Sequence, residues 1–352
     1  MKKYFVQITI AIIFSMAVLV SCKKNESVGD GTKDKPFIVR TVNDLKKVGN
    51  SVADGWTLEK HYKQAANITL NSKWYPIGVQ SDTPFTGSYD GGGYSITGLN
   101  SSSTGCCQGL FGYIGTSGAV RNVALLNVSV ITENMYAGGI ASVNNGTIEN
   151  CYVTGSISAG SRAGGVAGEN RGKISNCYTT CNVTTNGILF SGGITGCNSS
   201  GTVSYCYATG KINGRDFSGG IVGGNARAGN STVNGSVQHC VALNTEVSAT
   251  TSAVGRITGN TNSTTSTLTY NYAREVGMTL KSNGNALTPS PGVNDKDGAN
   301  ISAENTHGSN SSSWWQSAGY SATFWSFAND RLPHLKTTTG EAFIETQTPA
   351  VQ

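Results

Sequence analysis

Charge is scarce in this 352-residue chain: only 13% of residues are Asp, Glu, Lys or Arg, about half the usual share. The net charge is +5, too small and too dispersed for an electrostatic nucleic-acid binder. Leu, Lys and Glu, the ordinary material of helices, are sparse. Proline numbers only 7, and no Gly-X-Y period is present, which excludes collagen. After the first twenty-odd residues no apolar run approaches the ~20 residues that span a bilayer. What is abundant is glycine, 46 residues, among Ser, Thr and Asn. This is the composition of a turn-rich β protein.

The N-terminus differs from the rest. Lys2 and Lys3 precede a compact apolar segment, residues 8–20, followed by small residues, the pattern of an export signal. Leu19-Val20-Ser21-Cys22 resembles a bacterial lipobox, which implies a signal peptide over 1–21 and a lipid on Cys22. Residues 22–35 are polar with Gly29 and Gly31, and read as a flexible tether. The segment after Cys22, Lys-Lys-Asn-Glu-Ser, is a poor match to the acidic export signals of some gut anaerobes. The expected location is the cell envelope, in the outer membrane, with the membrane as a partner through the lipid.

A repeat organises the middle. Gly138-Gly139-Ile140-Ala141 precedes Thr147-Ile148-Glu149-Asn150-Cys151-Tyr152. Gly164-Gly165-Val166-Ala167-Gly168 precedes Lys173-Ile174-Ser175-Asn176-Cys177-Tyr178. Two further copies carry Gly192-Gly193-Ile194 with Cys206-Tyr207, and Gly219-Gly220-Ile221 with Cys240. Successive glycine pairs are 26, 28, 27 and 36 residues apart, the last interval holding an insertion over 226–234. Each unit has short alternating segments separated by Gly, Asn and Ser, which read as strands. One unit cannot bury its apolar face alone, but stacked units can, strand on equivalent strand about 4.8 Å apart. The expected fold is all-β: a right-handed parallel β-helix, its glycines placed at stacked corners, some with positive φ.

Gly109-Leu110-Phe111-Gly112, Gly165-Val166-Ala167-Gly168, the Asn-Cys-Tyr element, and the turn Phe85-Thr86-Gly87-Ser88-Tyr89-Asp90-Gly91-Gly92-Gly93 resemble the GLUG motif repeats of bacterial surface proteins. That resemblance covers 85–275. It implies a surface or adhesion-related β-helix, and in some larger proteins a peptidase context, although no peptidase signature appears here.

Columns follow from the repeat. Cys151, Cys177, Cys206 and Cys240 form one column, with Val123 and Asn271 at its ends; Ala124, Tyr152, Tyr178, Tyr207, Val241 and Tyr272 form the next. Adjacent strand residues face opposite sides. The small neighbours Val153, Thr179, Ala208 and Ala242 place the cysteines inside and Tyr152, Tyr178 and Tyr207 outside. The three tyrosines are the candidate ligand-binding stripe; a packed structural ladder is the competing reading. Caps are expected at both ends: residues 36–84 as an N-terminal cap and first coil, with a short helix over 41–49, and 313–336 as a C-terminal aromatic cap. Between repeats and cap, 276–312 read as a polar linker, and 337–352 as a tail.

Catalytic signals are thin. Between 105 and 275 the acids are Glu133, Glu149, Glu169, Asp216, Glu246 and Glu275, in different columns, as solvated surface residues would be. His61, His239, His307 and His334 are scattered; His239 shares the column of Asn150, Asn176 and Tyr205, a turn position. Asp295-Lys296-Asp297-Gly298 with Glu304 matches part of a calcium loop, or an acidic turn. Beyond Cys22, cysteines 106, 107, 151, 177, 181, 197, 206 and 240 either pair or stay as buried thiols, and no zinc spacing is present. No metal or cofactor is expected. The function expected is a non-catalytic adhesion module that binds glycan or another surface macromolecule; the alternatives are a polysaccharide lyase or hydrolase on the same scaffold, and a structural spacer.

Overall fold

The computed structural model describes residues 29–105, 107–225, 235–260, 266–344 and 347–351. The leader with Cys22, Cys106 and the 226–234 insertion lie outside the described residues.

The repeat is a parallel β-helix. One coil runs through Ala141–Asn144, Thr147–Glu149, Tyr152–Ala159 and Arg162–Gly164, and the next begins with Ala167–Asn170. Each strand pairs in parallel with its equivalent one coil away: Thr147 with Lys173, Tyr152 with Tyr178, Ala141 with Ala167. One unbranched ladder has nine strands, from Phe37–Val39 to Thr267–Thr269.

The interior is a set of stacked apolar columns. Leu110, Ile140, Val166, Ile194, Ile221 and Ile257 form one, and Tyr62, Tyr89, Val120, Ile148, Ile174, Val203 and Val237 another, all buried. The cysteine column is inside, as expected. Each thiol of Cys151, Cys177, Cys206 and Cys240 donates to the carbonyl two residues earlier, at 3.2 to 3.4 Å. Burial pushes the thiols of Cys151, Cys181 and Cys206 well up, so they behave as small protonated hydrophobes. A buried asparagine ladder runs beside them: the Nδ2 groups of Asn144, Asn170 and Asn198 each donate 2.8 Å to the Oδ1 of the next asparagine, ending at Asn225. Every polar side chain in that column thereby finds a partner in the following coil.

Some glycines take positive φ as expected, among them Gly92, Gly98 and Gly155, but the repeat's glycine pairs act by another means. In the coil at 192–196 none has positive φ. Instead a Cβ on Gly192 would sit 2.1 Å from Thr195 O, and one on Gly193 2.1 Å from Gly220 O of the next coil. The pair is required because backbones meet there. The left-handed corner falls to Asn122, Asn150, Asn176, Tyr205, His239 and Tyr270, at φ between 51° and 58°. Asparagine tolerates that conformation; in the later coils aromatic rings stack over it, Tyr205 on His239 at 4.9 Å and His239 on Tyr270 at 5.1 Å. His239 is thus a corner residue.

Both ends are closed. At the N-terminal end helix α1 (Val42–Lys47) is started by a capping box between Thr41 and Asp44 and buries Leu45, with Val48 buried just past its last turn. At the other end Arg256 stands where Gly139, Gly165, Gly193 and Gly220 stand in earlier coils. With no further coil to clash with, its buried side chain donates to the carbonyls of Asp297, Gly298 and Arg274 and to Asn300 Oδ1. Asp297 accepts from the backbone N–H groups of Arg256 and Ser290. The Asp-Lys-Asp-Gly run is therefore a lid over the last coil, and among the described residues no group of His, Cys, Asp and Glu is arranged to hold a metal ion.

Three further expectations are corrected. Residues 276–312 are not a linker: Thr279–Ser282 and Ala299–Ile301 add strands to the helix. Glu169 is not a solvated acid; it is fully buried between Arg162 and Arg171. The C-terminal aromatics do not cap an end. With helices α2 (Ala303–His307) and α3 (Ser311–Ser317) and the hairpin of Trp325–Ser326 with His334–Leu335, they form a strap along one flank. The strap runs back down the stack. Trp314 meets Tyr272 edge-on at 5.2 Å, Ala318 O meets His239 Nδ1 at 3.1 Å, Thr338 N donates 2.9 Å to Asn122 Oδ1, and Ile344 N donates 2.9 Å to Gly93 O. No helix of the described residues is long and apolar enough to cross a membrane.

Candidate functional site: a polar groove on the nine-stranded ladder

Tyr152, Tyr178 and Tyr207 do point away from the helix interior, in one column with successive rings 4.9 Å apart and 3° from parallel. They are not an exposed stripe. All three are buried, at 0 to 1% exposure, because the strap lies over them. Trp325 packs 5.6 Å from Tyr207, Trp315 5.5 Å from Tyr207, and Phe343 meets Tyr152 at 5.5 Å. Two of the hydroxyls are engaged as well: Tyr207 donates 2.8 Å to Pro333 O and Tyr178 donates 3.1 Å to Gln347 Oε1. Burial holds the phenols of Tyr178 and Tyr207 well above their ordinary pKa. Neither ring faces nor hydroxyls are offered to a sugar, and the tyrosines form a second apolar cluster between helix and strap.

A concave surface opens elsewhere, on the outer face of the nine-stranded ladder at its first coils. Its strands are Phe37–Val39, His61–Gln64, Ser88–Asp90 and Ala119–Arg121. The middle residues Tyr62, Tyr89 and Val120 are buried in the core, so alternation turns their neighbours outward together. Register then sets His61 beside Ser88 and Ala119, and Lys63 beside Asp90, which pairs with Arg121. The groove has a volume of about 470 Å³, and Lys33 and Asp34 line its near side.

Its polar groups are organised. His61 Nδ1 lies 2.7 Å from Ser88 Oγ. Arg121 Nε donates 3.2 Å to Asp90 Oδ2, while Asn122 Nδ2 and Gly92 N donate 2.8 and 2.9 Å to Asp90 Oδ1. With both oxygens bound, Asp90 is a fixed acceptor that orients Arg121 at the groove's edge. Lys63 and Lys33 add positive charge. Farther along, the same outward columns continue as Thr147, Lys173, Thr202, Ser236 and Thr267, and as Glu149, Ser175, Ser204, Gln238 and Thr269. Ser175 and Ser204 are buried, but Thr147, Lys173, Thr202, Ser236 and Thr267, with Glu149, Gln238 and Thr269, reach solvent, so a row of hydroxyl, amide and charged groups extends from the groove.

These residues are not clustered in sequence, yet one signal marks them. His-Tyr-Lys at 61–63 and Ser-Tyr-Asp at 88–90 share a polar–aromatic–polar pattern at roughly one coil's spacing, and Ala-Val-Arg at 119–121 keeps its last two positions, apolar then charged. Once Tyr62, Tyr89 and Val120 are placed inside, their neighbours must share one outer face.

The GLUG motif model matches residues 133–158, the coil containing Ile140, Ile148 and Cys151. A halomucin of Haloquadratum walsbyi is 32% identical over 145 residues, 38% of this chain and 2% of the relative. A protein of Evansella cellulosilytica, provisionally named a Gly-rich membrane protein, is 34% identical over 135 residues, 36% of this chain and 15% of that one. The chain thus spans only a small part of the length of the curated relatives it matches. Among solved structures, a Bacteroides ovatus protein provisionally named an immunoglobulin A1 protease has a TM-score of 0.74 at 22% identity, covering 87% of this chain and 94% of its own. That likeness extends to the fold. The chain carries the GLUG repeat, and it folds as a parallel β-helix.

Proposed function

We propose that the protein is a lipid-anchored module of the cell envelope that binds a glycan or another surface macromolecule, without catalysis, through the outer face of its nine-stranded ladder. The observation that carries this reading is the groove at His61, Lys63, Ser88, Asp90 and Arg121, continuous with a track of hydroxyl and amide side chains. A regular row of polar groups one coil apart suits a polymer with repeating hydroxyls, and the concave start of the row supplies charge for orientation. The names of the curated relatives, a halomucin and a membrane protein, support an envelope setting. The lipobox at Cys22 supports anchoring there, in the outer membrane.

A glycan array probed with the full chain carrying Cys22→Ser, kept in detergent because the apolar segment 8–20 remains, tests the binding. Retention of a defined glycan class supports it; no retention of any class overturns the glycan reading. In cells, loss of fatty-acid labelling in the same variant supports the anchor, and persistent labelling contradicts it.

Hydrolysis is the second reading, favoured by the 2.7 Å approach of His61 Nδ1 to Ser88 Oγ and by the name of the structural neighbour. A serine nucleophile needs a base that a third group orients. The carboxylate of Asp90 is instead directed at Arg121, Asn122 and Gly92. Labelling by a serine-directed fluorophosphonate that disappears in Ser88→Ala would establish the hydrolytic reading over the binding one.

A further inference from the structure

A second concave surface lies at the N-terminal end, between the end of α1 and the loop at 72–75. Its volume is about 500 Å³, and its walls are Lys46, Asn50, Ser72, Lys73, Trp74 and Tyr75. We propose that this pocket is a subsite for a carboxylated sugar, with Tyr75 as the platform and Lys46 and Lys73 as the carboxylate's partners. The proposal rests on the glycan-binding reading above and names the class of sugar.

Three observations combine. The first is the exposed aromatic. Tyr75 is 73% exposed although its neighbour Trp74 is 3% exposed. Trp74 is pinned in place, donating 3.1 Å from Nε1 to Leu110 O and 2.7 Å from its backbone N–H to Asn100 O. A rigid, buried floor thus carries a large ring held out into solvent, where it offers apolar area with a hydroxyl at its rim.

The second is charge. Lys46 and Lys73 line the pocket and no carboxylate does, in a chain with only 13% charged residues. Two cations on one concave wall concentrate positive potential there. The sheet groove differs, since Asp34 and Asp90 offset its cations.

The third is their spacing. Lys73 Nζ sits 5.8 Å from the centroid of the Tyr75 ring, within cation–π range. One ligand lying on the ring would therefore reach the ammonium with a group at its edge. A pyranose bearing a carboxylate has this layout: an apolar C–H face and an anionic substituent. Neutral sugars would use the ring alone, and an inorganic anion the lysines alone.

The test is titration calorimetry of the full chain with Cys22→Ser, using a uronic-acid oligosaccharide and the same oligosaccharide after carboxyl reduction. The expected result is binding of the uronate that weakens at least about tenfold on carboxyl reduction, in Tyr75→Ala, and in the Lys46→Ala/Lys73→Ala pair, each variant keeping its melting temperature. Tyr75→Phe should keep binding near the unsubstituted level, since the ring is what counts. Uronate binding that these substitutions leave unchanged overturns the subsite, as does equal binding of the reduced oligosaccharide. If the array retains only neutral glycans, the subsite falls and the glycan reading stands; if it retains none, both fall.

Discussion

Trp325 Nε1 donates a 3.1 Å hydrogen bond to Asn176 Oδ1 across 149 positions of sequence. Asn176 is a left-handed corner of the helix and Trp325 the fully buried centre of the strap, so one contact ties the two parts together. The same indole packs 6.4 Å from Tyr178 and 5.3 Å from Tyr320. The strap is thus held by aromatic packing on the tyrosine column and by polar bonds to successive corners.

Removing that centre should be costly. Trp325→Ala is expected to destabilise the protein by about 3–5 kcal/mol, the range for a buried aromatic truncation, and to raise protease sensitivity after residue 301 before the repeats unfold. Denaturant unfolding combined with limited proteolysis checks it. A change under about half a kcal/mol, the size of a surface substitution, would mean that the strap is not packed on the flank.

Inside the helix, Ile194 lies between Val166 and Ile221 in the stacked column. Ile194→Ala should lower stability by about 2–5 kcal/mol, because neighbouring coils, fixed at strand spacing, relax little into the void. Equilibrium urea unfolding reads this directly; a near-neutral result would place the column at the surface.

Acid should loosen the strap. Burial, and then the Arg331 guanidinium, hold the His334 imidazole down at about 4; burial and Arg274 lower His307 too. For a lowered imidazole the unfolded chain binds the proton first. Stability is therefore full above the ordinary histidine pKa of about 6.5, falls as pH drops from there to about 4, and levels off below. His334→Gln should flatten that slope between pH 6.5 and 4 in melting curves. An unchanged slope would detach His334 from the effect.

Much of the fold was readable in the sequence, and the failures have physical causes. The repeat spacing and alternation placed the Ile194 and Cys177 columns inside, because period-2 patterning reports which side of a strand faces the core. The same patterning correctly turned Tyr178 away from the interior. It carries no information on whether another part of the chain covers that side, and Trp315, Trp325 and Phe343 do. Glycine pairs such as Gly192-Gly193 signalled tight geometry, but not that the tightness was backbone contact between coils rather than positive φ. Residues 276–312 read as a linker because the last coil has polar outward positions and few apolar ones, with Leu280 and Ile301 supplying its burial. The groove escaped notice because His61, Ser88 and Arg121 lie in the less regular first coils.

The most direct test of the account is to compare the groove with the tyrosine column in one assay: glycan retention and melting temperature of the Cys22→Ser protein, with His61→Ala/Lys63→Ala on one side and Tyr178→Ala on the other. The account predicts that the groove pair loses retention with its melting temperature nearly unchanged. Tyr178→Ala, whose ring is locked between Tyr152 and Tyr207 under the strap, should melt several degrees lower while its folded fraction still binds. Retention lost in a Tyr178→Ala protein of unaltered melting temperature, together with full retention by the groove pair, would contradict it.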